Sequence, residues 1–279
     1  MALNNFAVRT LITAVGAPLI LYLSWRGGVA FLIFIEVVAW LALREFYVLT
    51  ETKLAQPSVL LGGVASFSLG AMLYFYGHQY AWLLLVIIVM LTVGSELFRN
   101  NGSALLNSAA TWLGFGYVGV LLNFLLMLRE LPRQLDSPAF PYADGGTWVV
   151  MLFVTVWVCD TAAYLFGSRF GRHKLFERVS PKKTIEGAVA GLVAAVATAW
   201  VCQLSFVTGL RLRDALMVGV ICGTVGQLSD LVESRFKRDA GVKDSSSLIP
   251  GHGGILDRFD SEMLAAPVTY LYLLISLPK

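Results

Sequence analysis

Apolar runs of roughly bilayer-crossing length, separated by short polar breaks, recur from one end of the chain to the other. A helix needs about 20 mostly apolar residues to cross the hydrocarbon core. The runs predict about nine such helices, at 8–25, 28–49, 58–76, 80–98, 111–128, 147–168, 184–207, 213–233 and 261–277. The first run is read as a retained span, because its charged region is only Arg9 and no small-residue cleavage site follows it. The predicted fold class is all-α, a polytopic transmembrane helical bundle.

Composition agrees and excludes an ordinary soluble domain. Hydrophobic residues make up 57% of the 279, charged residues 14%, and the mean hydropathy is +0.71; a soluble domain carries about 25% charged residues. Cys159, Cys202 and Cys222 all fall inside predicted spans without CxxC spacing, which reads as packing rather than zinc binding. No internal repeat of the kind found in many transporters is visible. The Pro-rich stretch LPRQLDSPAFPYADGG at 131–146 separates residues 1–130, expected to form an N-terminal lipid-facing and dimer-forming scaffold, from residues 147–279, expected to be catalytic.

The net charge of +3 matters less than where the charges fall. With the N-terminus inside, fifteen of the 21 Lys and Arg residues lie on the cytoplasmic side and six on the other. Because cytoplasmic loops collect Lys and Arg, both basic loops are expected in the cytoplasm. Acids within the spans carry a different message, since Asp at a helix centre costs roughly 2.5–3.5 kcal/mol on insertion scales. Glu36 reads as a buried structural carboxylate. Asp160 and Asp230 each lie within about two turns of a basic loop, where an acid can serve chemistry.

The densest chemistry lies between Ser234 and Asp260, SRFKRDAGVKDSSSLIPGHGGILDRFD. Arg235, Lys237, Arg238, Lys243 and Arg258 stand there beside Asp239, Asp244, Asp257 and Asp260. As a helix, QLSDLVESRFKR sets Asp230, Glu233 or Ser234, and Lys237 on one face, with Asp230 and Lys237 roughly 10 Å apart along the axis. That leaves room for a metal near one and a phosphate near the other. The PGHGG turn offers accessible amides that can cradle an anion, although no GK[ST] follows and it is not a P-loop. His252 reads as an oriented hydrogen-bond donor to phosphate, with general base as the lesser role. The next helix is expected to begin near Ile255, with Asp257 in its first turn.

A second constellation runs from Asp160 to Gly187. Ser180 is the expected N-cap and Pro181 the first helical residue, which sets Lys182 and Lys183 at the positive end of the seventh helix, where anions are attracted. A polybasic loop meeting anionic headgroups gives the same composition, at about 1 kcal/mol per Lys or Arg. Glycines 187, 191, 219 and 223 read as close-packing positions.

Ser234-x-Phe236-Lys237-Arg238, Lys243-Asp244, Pro250-x-His252-Gly253-Gly254 and Asp257-Arg258-Phe259-Asp260 together resemble the phosphatidate cytidylyltransferase signature, with Ser246 where many members have glycine. Asp160-Thr161 and Ser180-Pro181-Lys182-Lys183-Thr184 to Gly187 are similar to motifs of the same family. The clear resemblance covers roughly the last 120 residues. It implies formation of CDP-diacylglycerol and pyrophosphate from CTP and phosphatidate, with Mg2+ and a possible second cation. It further implies a homodimer in a bacterial inner membrane, its site facing the cytoplasm and no nucleic acid partner. By that analogy Asp230 and Asp257 would hold the metal, with Asp160, Asp244 and Asp260 as further contributors. Lys237, Arg238, Lys243, Arg258 and His252 would meet the triphosphate or departing pyrophosphate. Ser234, Lys182, Lys183, Gly253 and Gly254 would complete substrate binding. A different CTP-dependent lipid enzyme and a cation-coupled transporter are the rival classes; the transporter has no use for a PGHGG turn beside five cations.

Overall fold

A computed structural model describes residues 5–248 and 253–278. Its helices are α1 (Asn5–Arg26), α2 (Gly28–Glu51), α3 (Val59–Tyr76), α4 (Ala81–Glu96), α5 (Ala104–Gly114), α6 (Leu121–Leu135), α7 (Tyr142–Phe170), α8 (Ile185–Ser205), α9 (Leu212–Ile221), α10 (Gln227–Asp239) and α11 (Glu262–Ser276). Single π-helical turns at Phe115–Val120 and Cys222–Gly226 join α5 to α6 and α9 to α10. Local chemistry sets the boundaries. Ser58 opens α3 by accepting the Leu61 amide at 3.4 Å, and Gly77, at φ +68°, closes it.

Among the described residues, five helices are long and apolar enough to cross a membrane: Val59–Tyr76, Ala104–Leu135, Tyr142–Phe170, Ile185–Ser205 and Leu212–Asp239. Three shorter apolar helices cover Ile12–Arg26, Ala81–Glu96 and Glu262–Ser276. The chain is therefore an all-helical protein of the multi-pass membrane type, with one small addition. Strands β1 (Lys174–Phe176) and β2 (Ser180–Thr184) pair antiparallel, Lys174 opposite Thr184 and Phe176 opposite Ser180.

That hairpin corrects the expected start of the seventh helix. Ser180, Pro181, Lys182 and Lys183 lie on a strand, and the N-cap is Thr184, whose Oγ1 accepts the Gly187 amide at 3.1 Å. The physical reason is a competing partner: the Lys174 ammonium donates to the Pro181 carbonyl at 2.7 Å, and the Ile185 amide donates to the His173 carbonyl at 2.9 Å. Pro181 has no N–H to lose and suits a strand this short. Glu186, in the first turn of α8, then accepts the amides of Arg172 and His173 and pairs with His173 Nδ1 at 2.6 Å. A second correction falls at Ile255. A single 3-10 turn, Leu256–Arg258, stands where helix was expected, and α11 begins at Glu262.

The chain forms two compact units. One comprises residues 1–23, 27–127 and 236–259. Phe31, Ile35, Phe46, Tyr47, Phe115 and Val118 are buried in it. The Phe236 ring meets Phe46 and Tyr117 edge-on at 5.5 and 5.2 Å, an arrangement favoured by ring quadrupoles. Glu36 is buried here as a structural carboxylate: Ser66 donates to it at 3.3 Å, and Gly70 leaves the space that Glu36 Oε1 fills.

The other unit comprises residues 24–26, 128–235 and 260–279. In lipid there is little hydrophobic drive between helices, so close backbone approach carries the packing. Gly187 and Gly191 of α8 face the Ala163 and Cys159 carbonyls of α7, and Gly219 and Gly223 face Val196 Cα and Leu192 Cα of α8. The three cysteines are free and buried, as packing residues are. Gly219→Ala would bring a methyl to 2.8 Å from Val196 Cα. We expect it to cost about 1–3 kcal/mol as overpacking, read as a lower melting temperature in detergent. Arg129 is not a solvated topology charge. It is buried, and its guanidinium caps α1 by donating to the Ser24, Trp25 and Arg26 carbonyls at 2.9, 3.2 and 3.4 Å.

Candidate active site

In the first unit the signature segment folds around two carboxylates. Lys237, in the last turn of α10, is buried and places Nζ 2.5 Å from Asp257 Oδ1. Asp257 Oδ2 accepts the Gly254 amide at 2.7 Å, the Ser245 amide at 3.0 Å and the Ser245 hydroxyl at 2.9 Å. A buried ion pair survives only when further hydrogen bonds satisfy its ions, and Asp257 meets that condition. Burial pushes its carboxyl up, but the Lys237 ammonium and the Gly254 and Ser245 amides outweigh burial and hold it below the usual carboxylate value.

The second carboxylate, Glu45 of α2, was not singled out from sequence. Its Oε1 accepts the Ser246 hydroxyl at 2.7 Å and the Ile255 amide at 3.0 Å. Its Oε2 accepts the Leu256 amide at 2.8 Å and the Ser245 hydroxyl at 2.9 Å. Ser245 therefore lies between Glu45 and Asp257, and its single hydroxyl proton serves one of them at a time. The two glycines are required by this crowding. Gly253 has φ +79°, and a Cβ there would sit 2.5 Å from Asp257 Oδ2; a Cβ at Gly254 would sit 2.1 Å from Ser245 Oγ and 2.2 Å from Glu45 Oε2. Arg238 donates to the Val242 carbonyl at 2.9 Å, while Lys243, Asp244 and Arg258 are exposed. Pro250 and His252 lie outside the described residues.

The second unit gathers acids. Lys183 of β2 is hydrogen-bonded to Asp230 of α10, joining the two constellations that the sequence kept 47 residues apart. Ser234 donates to the other Asp230 oxygen at 3.3 Å, one helical turn on. Asp260 is half-buried before α11, where its carbonyl accepts the Ser229 hydroxyl and its Oδ1 accepts the Ser261 amide at 2.7 Å. Burial first, then the like charges of Asp230, Glu233, Asp160 and Glu262, push the Asp260 carboxyl well above its usual value. Asp160 and Lys182 are exposed on α7 and β2. Glu233 and Glu262, both buried, join a cluster that sequence reasoning assigned mainly to the aspartates. Among the described residues, no three His, Cys, Asp or Glu side chains converge as a ready-made metal cage.

Fold and site define a helical protein of the multi-pass membrane type with lysines and carboxylates set into its polar segments and helix ends. Residues 7–276 match the profile of the Cytidylyltransferase family, and the chain belongs to that family. It is 31% identical over 269 residues to the phosphatidate cytidylyltransferase of Staphylococcus saprophyticus and 32% identical over 274 residues to that of Staphylococcus aureus. In both comparisons 96% of this chain and 98% of the relative are covered. The phosphatidate cytidylyltransferase of Staphylococcus epidermidis is 30% identical over 271 residues, with the same coverage.

Proposed function

We propose that the protein transfers the cytidylyl group of CTP to phosphatidate, forming CDP-diacylglycerol and pyrophosphate. The observation that carries this reading is family membership over nearly the whole chain, together with the signature pair Lys237 and Asp257 held in hydrogen-bonded order. A non-bridging oxygen of the phosphatidate phosphate forms a bond to the α-phosphorus of CTP. The bond from that phosphorus to the oxygen bridging the β-phosphate breaks, and its electron pair leaves on pyrophosphate. Two polyanions must meet, so positioned positive charge lowers the barrier.

The side chains divide that work. Lys237, Arg238, Lys243, Arg258 and His252 bind the triphosphate and stabilise departing pyrophosphate, and Gly253 and Gly254 give the turn beside them its close approach to substrate. Lys182 and Lys183 draw the anionic headgroup. Ser234, Asp244 and Asp260 complete the substrate contacts. Asp257 serves as the counter-charge that fixes Lys237.

The crowded carboxylates fit a divalent cation: their oxygens are hard donors, and the like charges raising Asp260 call for compensation. Magnesium is usually held by one or two carboxylates plus substrate phosphates, which suits a set lacking three convergent ligands. Asp230 and Asp160 would hold it; Asp257, a metal ligand by family resemblance, is paired with Lys237 and would serve a metal only by giving up that lysine. When bound, it would neutralise phosphate oxygens, as could a second cation.

By the same reading the nine predicted runs all cross a bacterial inner membrane, with the basic segments in the cytoplasm. The homodimer rests on family resemblance alone. Purified protein with phosphatidate, Mg2+ and CTP is expected to release pyrophosphate and yield a lipid product of the mass of CDP-diacylglycerol. ATP, GTP and UTP should give little; a phosphorylated lipid or free ion flux instead would favour the rival classes.

A further inference from the structure

We infer that Glu45, on a helix far from the signature in sequence, is a positioning residue of the reaction. The inference rests on the proposed cytidylyl transfer, because its consequence for turnover follows only if Asp257 and Lys237 act in that chemistry. Glu45 is 6% exposed, and its two oxygens receive four donors from one short stretch of chain: two hydroxyls, of Ser245 and Ser246, and two amides, of Ile255 and Leu256. The acceptor thus ties both flanks of the glycine-rich turn to one rigid helix, across a separation of 200 or more residues.

What hangs from that clamp is Asp257. The Leu256 amide held by Glu45 directly precedes it, the Ser245 hydroxyl lies 2.9 Å from each carboxylate, and the Gly254 amide bonded to Asp257 precedes the clamped Ile255. Lys237 Nζ takes its place from Asp257 Oδ1 at 2.5 Å. Glu45 therefore acts on the lysine through one intermediary and on the turn directly. Its own oxygens are occupied by protein donors, which separates it from residues that meet substrate.

A carboxylate is required, rather than any polar group. Glutamine presents one oxygen and one NH2. Whichever way the amide turns, its NH2 faces either the Ile255 or the Leu256 N–H, donor against donor. Aspartate keeps both acceptors but is one methylene shorter. Misplacing reacting groups by about 1 Å can lower a rate by ~10²-fold, so the effect falls on turnover more than on substrate capture.

The test uses full-length protein in detergent or nanodiscs, with CTP and phosphatidate as substrates. Glu45→Gln is expected to lower kcat at least about tenfold while KM for phosphatidate changes less than about twofold. The Ile255 and Leu256 amides should exchange with deuterium faster than in wild type. Glu45→Asp should recover part of the lost turnover, which a merely space-filling role would not predict. Wild-type kcat in folded Glu45→Gln overturns the inference, as does unchanged exchange at both amides. Should Glu45→Gln fail to accumulate, Ser246→Ala, which removes one donor, is expected to lower kcat about threefold and quicken exchange at Ile255; no change in either overturns it. A wild-type protein without turnover, or Lys237→Ala at wild-type rate, sinks the underlying functional reading instead, and the positioning role with it.

Discussion

Asp257→Asn is expected to cut CDP-diacylglycerol formation at least about 100-fold, the scale seen when one preorganised transition-state donor is lost. The variant also destabilises the fold. Asparagine keeps one acceptor oxygen but turns an NH2 toward Lys237, or toward the Gly254 and Ser245 amides, all of which are donors. The buried Lys237 ammonium loses its counter-charge, and breaking a buried pair from one side costs about 3–5 kcal/mol. Removing both partners, as in Lys237→Met with Asp257→Asn, should recover part of that stability and none of the activity, because the desolvated charge leaves with its partner. Thermal unfolding in detergent and product formation from labelled CTP read the two effects separately. Normal turnover in a folded Asp257→Asn protein would remove this residue from the chemistry.

Asp230→Asn is expected to abolish turnover to a similar degree while leaving stability nearly unchanged. Asp230 sits among acids, and its like charge helps raise Asp260; neutralising it relieves repulsion. Its partner Lys183 is partly exposed and can be solvated once released, so the lost pair costs about 0–1 kcal/mol. The two aspartates should therefore part company in the melting curve while agreeing in the assay. Lys183→Ala, which leaves the acids without that ammonium, should fall about tenfold in rate and regain part of it at higher Mg2+, since positioned cations substitute for one another in phosphoryl transfer. A folded Asp230→Asn protein with wild-type turnover and unchanged Mg2+ dependence would remove this cluster from the reaction.

Much of this was legible in the primary structure because the solvent imposes it. A bilayer demands long apolar helices, so the all-helical, multi-pass class follows from run length, whereas against about nine predicted runs five helices among the described residues are long and apolar enough to cross. The signature residues were legible by type, since polyphosphate chemistry needs acids, lysines and a glycine turn whatever holds them. The start of α8 was not, because Ser180-Pro181 suits both a helix cap and an edge strand, and the bond from Lys174 to the Pro181 carbonyl settled it. Gly253 and Gly254 were legible as a turn; that their missing side chains make room for Asp257, Ser245 and Glu45 was not. Glu45 stayed hidden for a related reason. Beside Arg44 at the end of an apolar run, it looks like any charge reaching for the membrane edge. Its role exists only once the chain brings four donors from residues 245–256 onto its two oxygens, and a contact between residues so distant in the chain leaves no local periodicity or spacing to read.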